Sequence, residues 1–378
     1  MRNNLKKIKV LNIISDTNIG GAGKCIITYC KNRNKQKFDI SVLMPKDSLL
    51  KPEIEATGVK VIEINGLKDK SLDISAIGKI KKIINQINPD IVHTHASLSA
   101  RIAAKLYKNC KIIYTKHCDF PISSKYKYTI FRKINKLINE SLTNKIIATS
   151  EMAKENLIMQ GIDAHIIEVV LNGVDGFKET SLEEKKELRK KYKIDENEIV
   201  VGYLARVEEL KGHKYLIEAM NIINQRNPKN KFKLLLMGSG TYEETAKELV
   251  KSLELEDKII FTGFINDVEK MLNIVDIQVN ASYLSETTNL SLLEGMSLGI
   301  PSVATACGGT SKMIEDWKNG LLVEKANSLA LADGIEKIVE NQEKFDKMKE
   351  ISKQIFKERY TSKVQTSNIE RIYESMVK

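Results

Sequence analysis

Disulfides and zinc are the first things this chain argues against. Its five cysteines, Cys25, Cys30, Cys110, Cys118 and Cys307, are an odd number without a Cys-x-x-Cys pair, so neither a disulfide framework nor a zinc site is indicated and a cytoplasmic setting is expected. Long apolar runs are missing too: none approaches the roughly 20 residues of a membrane span. The stretch behind Lys6, Lys7 and Lys9 breaks at Asp16 with no small-residue cleavage site, which predicts a first buried strand in place of an export signal. Aromatic residues are only 6% of the chain, too few for the rings interleaved with lysines that nucleic-acid surfaces display, and no nucleic acid is expected as a partner. Arginine is scarce as well. Nine of the 60 basic residues are arginines, so one placed just past a strand end stands out from the lysine background. Finally, Gly-x-Gly-x-x-Gly with an acidic residue about 20 positions on is absent, which removes the signature of a nicotinamide-binding loop.

What is present is apolar material for two cores. A chain of 378 residues, 42% hydrophobic, exceeds what one core normally organises. Short aliphatic runs at 8–14, 40–43, 59–64, 91–93, 112–114 and 146–148 alternate with amphipathic stretches, the rhythm of a parallel sheet covered on both faces. A Lys- and Glu-rich stretch at 178–195 interrupts it, and it resumes at 199–203, 233–237, 258–261, 277–280, 302–305 and 321–323. The pattern predicts an α/β protein of two Rossmann-like, doubly wound halves joined near 173–195. Past Ser328 the pattern is helical. Such sheets bind ligands beyond the carboxyl ends of their strands, so the chemistry is expected where the two halves face each other.

The net charge of +11 is unevenly spread. Residues 1–145 hold 28 basic against 11 acidic residues, and 101–145 alone hold 11 basic residues against Asp119 and Glu140. Lysine-rich composition is one account. A surface that meets an anionic partner, either a phospholipid surface or a phosphorylated acceptor, is the other. Within it, Ile130, Ile134, Leu137 and Ile138 form an apolar stripe at helical spacing flanked by lysines. That is the pattern of a domain helix with one solvated face, or of a peripheral membrane contact.

Several residues suit a phosphate-bearing, polyhydroxylated ligand. Glu286 and Glu294 lie eight positions apart across a loop-to-helix junction, with Leu290, Leu293, Met296 and Leu298 as the helix's buried side, Gly299 as its stop and Pro301 opening the next strand. Carboxylates accept paired hydrogen bonds from vicinal hydroxyls, and the helix start between them suits a phosphate. A solvated or capping pair of glutamates is the plainer alternative. Arg206 and Lys211 follow a predicted strand, where two fixed cations suit an anionic ligand, or else form a surface ion pair with Glu208 or Glu209. Gly20-Gly21-Ala22-Gly23 lets backbone approach a ligand closely, or is an ordinary tight turn. His93 and His95 share one side of an extended segment, which invites a metal reading; with no Cys or acidic ligand beside them, one packed and one cleft-lining histidine is expected. No carboxylate pair is placed for double displacement.

The run 285–301 resembles the nucleotide-sugar signature of retaining glycosyltransferase family 4, whose members have the GT-B fold. Gly202-Tyr203-Leu204-Ala205-Arg206-Val207-Glu208-Glu209-Leu210-Lys211-Gly212-His213 is similar to the family's strand-end Arg and Lys pair, and Gly238-Ser239-Gly240 and Phe261-Thr262-Gly263-Phe264 fall where it places later loops. Thr288 and Asn289 depart from the aromatic residue and glycine found there. Asn tolerates a left-handed backbone best among non-glycine residues, so the loop is expected to keep its course.

The resemblance implies a first half spanning 1–175 on the acceptor side, completed by a last helix at 361–378, and a nucleotide-sugar-binding half at 196–360. It implies His117, Arg206, Lys211 and Glu286 as catalytic residues. Gly20, Gly21, Gly238, Gly263, Phe264, Asn289, Leu290 and Glu294 are implied to bind the donor, with Gly308-Gly309-Thr310 closing over the nucleotide. Asp-x-Asp is absent, so no metal and no other cofactor is expected. The expected reaction moves a sugar, with retention, from a nucleotide diphosphate, UDP being the commonest carrier, to a cell-envelope glycan or lipid-linked acceptor, in the cytoplasm or peripherally at the inner membrane face. A non-hydrolysing epimerase or phosphorylase of the same fold is the second enzyme reading, and a nucleic-acid-binding protein the reading from another class.

Overall fold

The computed structural model describes residues 6–18, 20–67, 71–95, 97–117, 122–284 and 288–377. It divides into two compact units, Met1–Gly173 with Ser362–Lys378, and Val174–Thr361.

The first unit is built on a parallel sheet of β1 (Ile8–Ile14), β2 (Phe38–Pro45), β3 (Lys60–Ile64), β4 (Ile91–His95), β5 (Lys111–Lys116), β6 (Lys145–Ala148) and β7 (Ile167–Val169). Their order is β3-β2-β1-β4-β5-β6-β7. Alternation along β1 divides its side chains between two cores. Val10 and Ile14 join Ile26, Tyr29 and Phe38 on one face, while Leu11 and Ile13 join Ile80, Ile84 and Ala103 on the other. The last helix, Ser362–Val377, returns to this unit and buries Ile369, Ile372 and Tyr373 in the first of those cores. β7 had no counterpart among the expected strands. Its three residues are too few to show a period.

The second unit repeats the plan with β8 (Ile199–Leu204), β9 (Phe232–Met237), β10 (Ile259–Gly263), β11 (Ile277–Asn280), β12 (Ser302–Thr305) and β13 (Gly320–Val323), ordered β10-β9-β8-β11-β12-β13. Leu234 and Leu236 of β9 face one core, Leu235 and Met237 the other. The charged stretch at 178–195 is not a bare joint. Its helix Leu182–Lys191 starts at a capping box of Ser181 with Glu184, and Phe177, Leu188, Tyr192 and Ile194 pack against Val200 and Met271 of the second unit.

The segment 129–142 departs from the core reading of its stripe. The helix Thr129–Leu142 forms, but none of its residues is buried, and Ile130, Phe131, Ile134, Leu137 and Ile138 are all exposed. Among the described residues no helix is long and apolar enough to cross a membrane.

Candidate active site

Strand order reverses direction at two places, between β1 and β4 in the first unit and between β8 and β11 in the second. Loops leaving such a pair part in opposite directions and open a crevice at the carboxyl edge of the sheet. Gly20, Arg206, Lys211 and Asn289 lie on these loops, and Gly21 opens the helix that follows β1.

In the second unit the loop after β8 carries Arg206 and Lys211, and the loop after β11 leads to the helix Leu290–Leu298. The Arg206 guanidinium is 79% exposed and sits 3.9 Å from Glu208, a long contact between solvated groups that contributes little. Lys211 ends a 3-10 turn, Glu209–Lys211, which gives way at Gly212 in the left-handed region (φ +71°). A Cβ at Gly212 would stand 2.1 Å from the Ala281 carbonyl, so glycine lets the two switch-point loops touch. Tyr203, buried at the end of β8, donates its hydroxyl to the Lys211 carbonyl at 2.6 Å and meets Ser282 Oγ at 3.4 Å. This brace was not read from the sequence, where a strand tyrosine looks like any core aromatic. Tyr203→Phe is expected to cost about 1 kcal/mol of stability as the Lys211 turn loosens, measurable by denaturant unfolding.

Neighbouring loops are laced to the same edge. Val207 N–H donates to Ser239 O at 3.0 Å, and Gly238 N–H to Gly263 O at 2.9 Å. A Cβ at Gly238 would fall 2.0 Å from Ala205 O. Gly238→Ala is expected to separate the loops after β8 and β9, with a fall in melting temperature. Phe264, next to Gly263 at the end of β10, exposes 74% of its surface, an aromatic face open to a planar ligand.

Asn289 is not left-handed. At φ −79° it is the N-cap of the helix Leu290–Leu298, its Oδ1 accepting from Leu292 N–H at 3.2 Å and from Ser291 Oγ at 2.7 Å. Asn serves as well here because its carbonyl replaces a missing helix acceptor. Leu292, Leu293 and Met296 are the buried side, while Leu290 and Leu298 are half-buried, a shift from the expected face. Glu294 is the fifth helical residue, little more than a turn from the start, and half-buried. Gln278 of β11 seats this helix, donating from Nε2 to Ser291 O at 2.6 Å against the bare backbone of Gly295. Glu286 lies outside the described residues. Gly308 and Gly309 precede Thr310, which is buried with its Oγ1 3.4 Å from Asn280 Nδ2.

In the first unit the loop after β1 reaches the helix Gly21–Asn32 through Gly20, an N-cap without a side chain to close it. A Cβ at Gly21 would meet nothing within 4 Å, whereas at Gly23 it would fall 2.4 Å from Leu50 Cδ2. Gly23 therefore serves packing, and Gly20 and Gly21 leave the backbone open. Across the switch point stand three stacked histidines. His95 Nδ1 lies 2.8 Å from His117 Nε2, and His95 Nε2 lies 3.2 Å from Asn12 Oδ1. The Asn12 oxygen can only accept, so His95 donates from Nε2 and accepts at Nδ1, and His117 donates through Nε2–H. His93 reaches Tyr373 on the last helix and Thr115 on β5, each at 2.6 Å. Both His93 and His95 are buried, so the expectation that one of them lines a cleft does not hold. Burial pushes His93 down to about 3, His117 to about 4 and His95 well below its ordinary value, making them neutral hydrogen-bonding rings at neutral pH. Among the described residues no three His, Cys, Asp or Glu side chains form a metal-holding group.

An open cavity of about 900 Å³ lies elsewhere in the first unit, among Asp90, Lys105, Lys108, Lys111 and Asn144. It borders the amino ends of β4 and β5, the edge opposite the switch point.

Comparison with known proteins bears on the fold and the family. A family model described as Glycosyltransferase Family 4 matches residues 19–176, and one described as Glycosyl transferases group 1 matches 184–355. N-acetyl-alpha-D-glucosaminyl L-malate synthase of Bacillus anthracis is 26% identical over 337 residues, covering 85% of this chain and 84% of that protein. A glycosyltransferase from Rickettsia africae ESF-5 superposes with a TM-score of 0.86 at 23% identity, over 99% of this chain and 100% of that one. Anabaena Alr3699/HepE in complex with UDP gives a TM-score of 0.82 at 21% identity, over 97% and 100%. The two structures share the fold expected from the strand rhythm.

Proposed function

Because the chain belongs to glycosyltransferase family 4 and is a glycosyltransferase of GT-B fold, we propose that it transfers a sugar from UDP to a hydroxyl of a cell-envelope glycan or lipid-linked acceptor, with retention and without a metal. The observation that carries the reading is the β8/β11 switch point, where the Arg206–Lys211 turn and the Asn289-capped helix bearing Glu294 leave adjacent strands. UDP as the carrier is supported by the Anabaena neighbour, which was crystallised with it.

In this reading Arg206 and Lys211 neutralise the diphosphate as the bond to the sugar carbon breaks. The acceptor oxygen attacks from the face the diphosphate leaves, and its proton passes to the departing phosphate oxygen. Glu294 holds the ribose, Glu286 the transferred sugar, and Gly263 with Phe264 borders the base. Gly238, Asn289 and Leu290 shape the phosphate turn. On the first unit Gly20 and Gly21 offer backbone to donor phosphates, and His117, held neutral by burial, hydrogen-bonds a sugar hydroxyl. Charge is handled by the two cations, so no carboxylate nucleophile or divalent ion is required.

A thermal-shift panel of UDP-, GDP- and ADP-sugars tests the donor, since a ligand of the native state raises the melting temperature. Stabilisation by a UDP-sugar is expected, followed by release of UDP only when acceptor is present, unchanged by chelator. Release without acceptor, or stabilisation by none of the panel, sinks the reading in favour of an epimerase, a phosphorylase or a different donor.

A further inference from the structure

The helix Thr129–Leu142 is mounted with its polar side inward. Asn135 donates from Nδ2 to Gln160 O at 3.0 Å, and Asn139 Oδ1 accepts from the buried Arg101 at 2.8 Å. Lys136 contacts both carboxylate oxygens of Asp163 at 2.8 and 2.7 Å, while Glu140 accepts from the Asp163 N–H at 3.1 Å. Hydrogen bonds hold the helix to the body, and the apolar stripe faces water. Tyr128 is 65% exposed, Ile130 60% and Leu137 71%, with Phe131, Ile134 and Ile138 beside them. Single exposed apolar residues are ordinary, but six on successive turns form a contiguous patch that marks a covered surface.

The chemistry around the patch says what covers it. Lys125, Lys127, Arg132 and Lys133 are exposed along its borders, within a segment that holds 11 basic residues against two acidic ones. Two copies meeting through this face would bring like charges together, which opposes association. An anionic lipid surface satisfies both parts, since the side chains enter the acyl boundary and the cations meet the phosphates.

We propose that the outward apolar face of helix 129–142 inserts into the interfacial layer of an anionic membrane and holds the enzyme there as a peripheral protein. The inference goes beyond the transfer reading and holds whichever sugar is moved. Attachment of this kind keeps a water-exposed active edge beside acceptors that do not leave the bilayer.

Flotation of the full chain with vesicles tests it. The protein is expected to float with phosphatidylglycerol-containing vesicles and much less with pure phosphatidylcholine, and added salt should release part of it. The double variant Ile134→Asp, Leu137→Asp should lose at least about tenfold in partitioning. Its melting temperature and its turnover of a soluble acceptor should stay unchanged, because both side chains are exposed and neither is among the residues proposed to bind substrate. Absence of flotation by the unaltered chain, or equal flotation by the double variant, overturns the proposal. So does a dimer in sedimentation velocity that the double variant dissociates, since a second copy would then be the cover.

Discussion

Arg206→Ala and Lys211→Ala are each expected to lower turnover by about 10²- to 10³-fold, the range found when a fixed stabiliser of developing charge is removed. In the proposed reaction the donor's diphosphate gains charge as the sugar leaves, so the loss should fall mainly on kcat, with a smaller change in KM. Arg206 is exposed and, among the described residues, its ion pair is a 3.9 Å contact to Glu208, so its removal should leave the melting temperature where it was. Arg206→Lys should restore part of the activity, since it keeps the charge but not the fork of donors. Glu208→Gln is the control: if the Arg206 contact were structural, this change would weaken the enzyme as much. Single-turnover rates for each variant decide the point. Wild-type rates from both alanine variants would remove the pair from the mechanism.

The second large effect is on stability in acid. Free histidine titrates near 6.5, whereas burial holds His93 near 3 and His117 and His213 near 4, with His95 also held well below its ordinary value. Between those values the unfolded chain binds protons that the folded chain refuses. Stability from these rings is therefore fully present above about pH 6.5 and declines as pH falls toward 4. By pH 5 His93, His117 and His213 each cost about 2 kcal/mol. Three of the four stand together in the first unit, where charging one makes the next harder to charge. Hydrogen exchange followed by mass spectrometry should show the sheet β1–β7 opening at a higher pH than β8–β13. The thiols of Cys25 and Cys30 act on the opposite side. Burial pushes both up to about 12, so stability should fall again as pH rises from 9, where the unfolded thiols ionise. Melting temperatures across this range that stay flat below pH 6.5 would contradict the burial of the histidine stack.

Twelve of the thirteen strands among the described residues were legible because a doubly wound sheet buries both faces of each strand and writes an uninterrupted aliphatic run. The helix 129–142 shows the limit of the same reasoning. Helical periodicity reports that one face is apolar, and the direction it faces depends on Asn135, Lys136 and Asn139 finding partners on Gln160, Asp163 and Arg101. Those partners are distant in sequence and carry no pattern of their own. Asn289 was ambiguous for a different reason, since its side chain suits both a left-handed turn and an N-cap, and only the backbone angle distinguishes them. Tyr203, Gln278 and Tyr373 escaped notice because a buried residue with one polar atom reads as core until its partner is known. The cations and glycines at the strand ends were visible because arginine is rare in this chain and glycine is needed wherever one loop's carbonyl approaches another's backbone.

The return of the last helix to the first unit also sets an order of events during synthesis. The second unit, residues 174–361, must leave the ribosome before Ile369, Ile372 and Tyr373 can complete the core around Val10 and Phe38. At usual elongation speeds that interval lasts roughly 10 to 40 s. For that time the amino-terminal half waits with an apolar wall unroofed and His93 without its tyrosine partner, while the half made later can finish folding first.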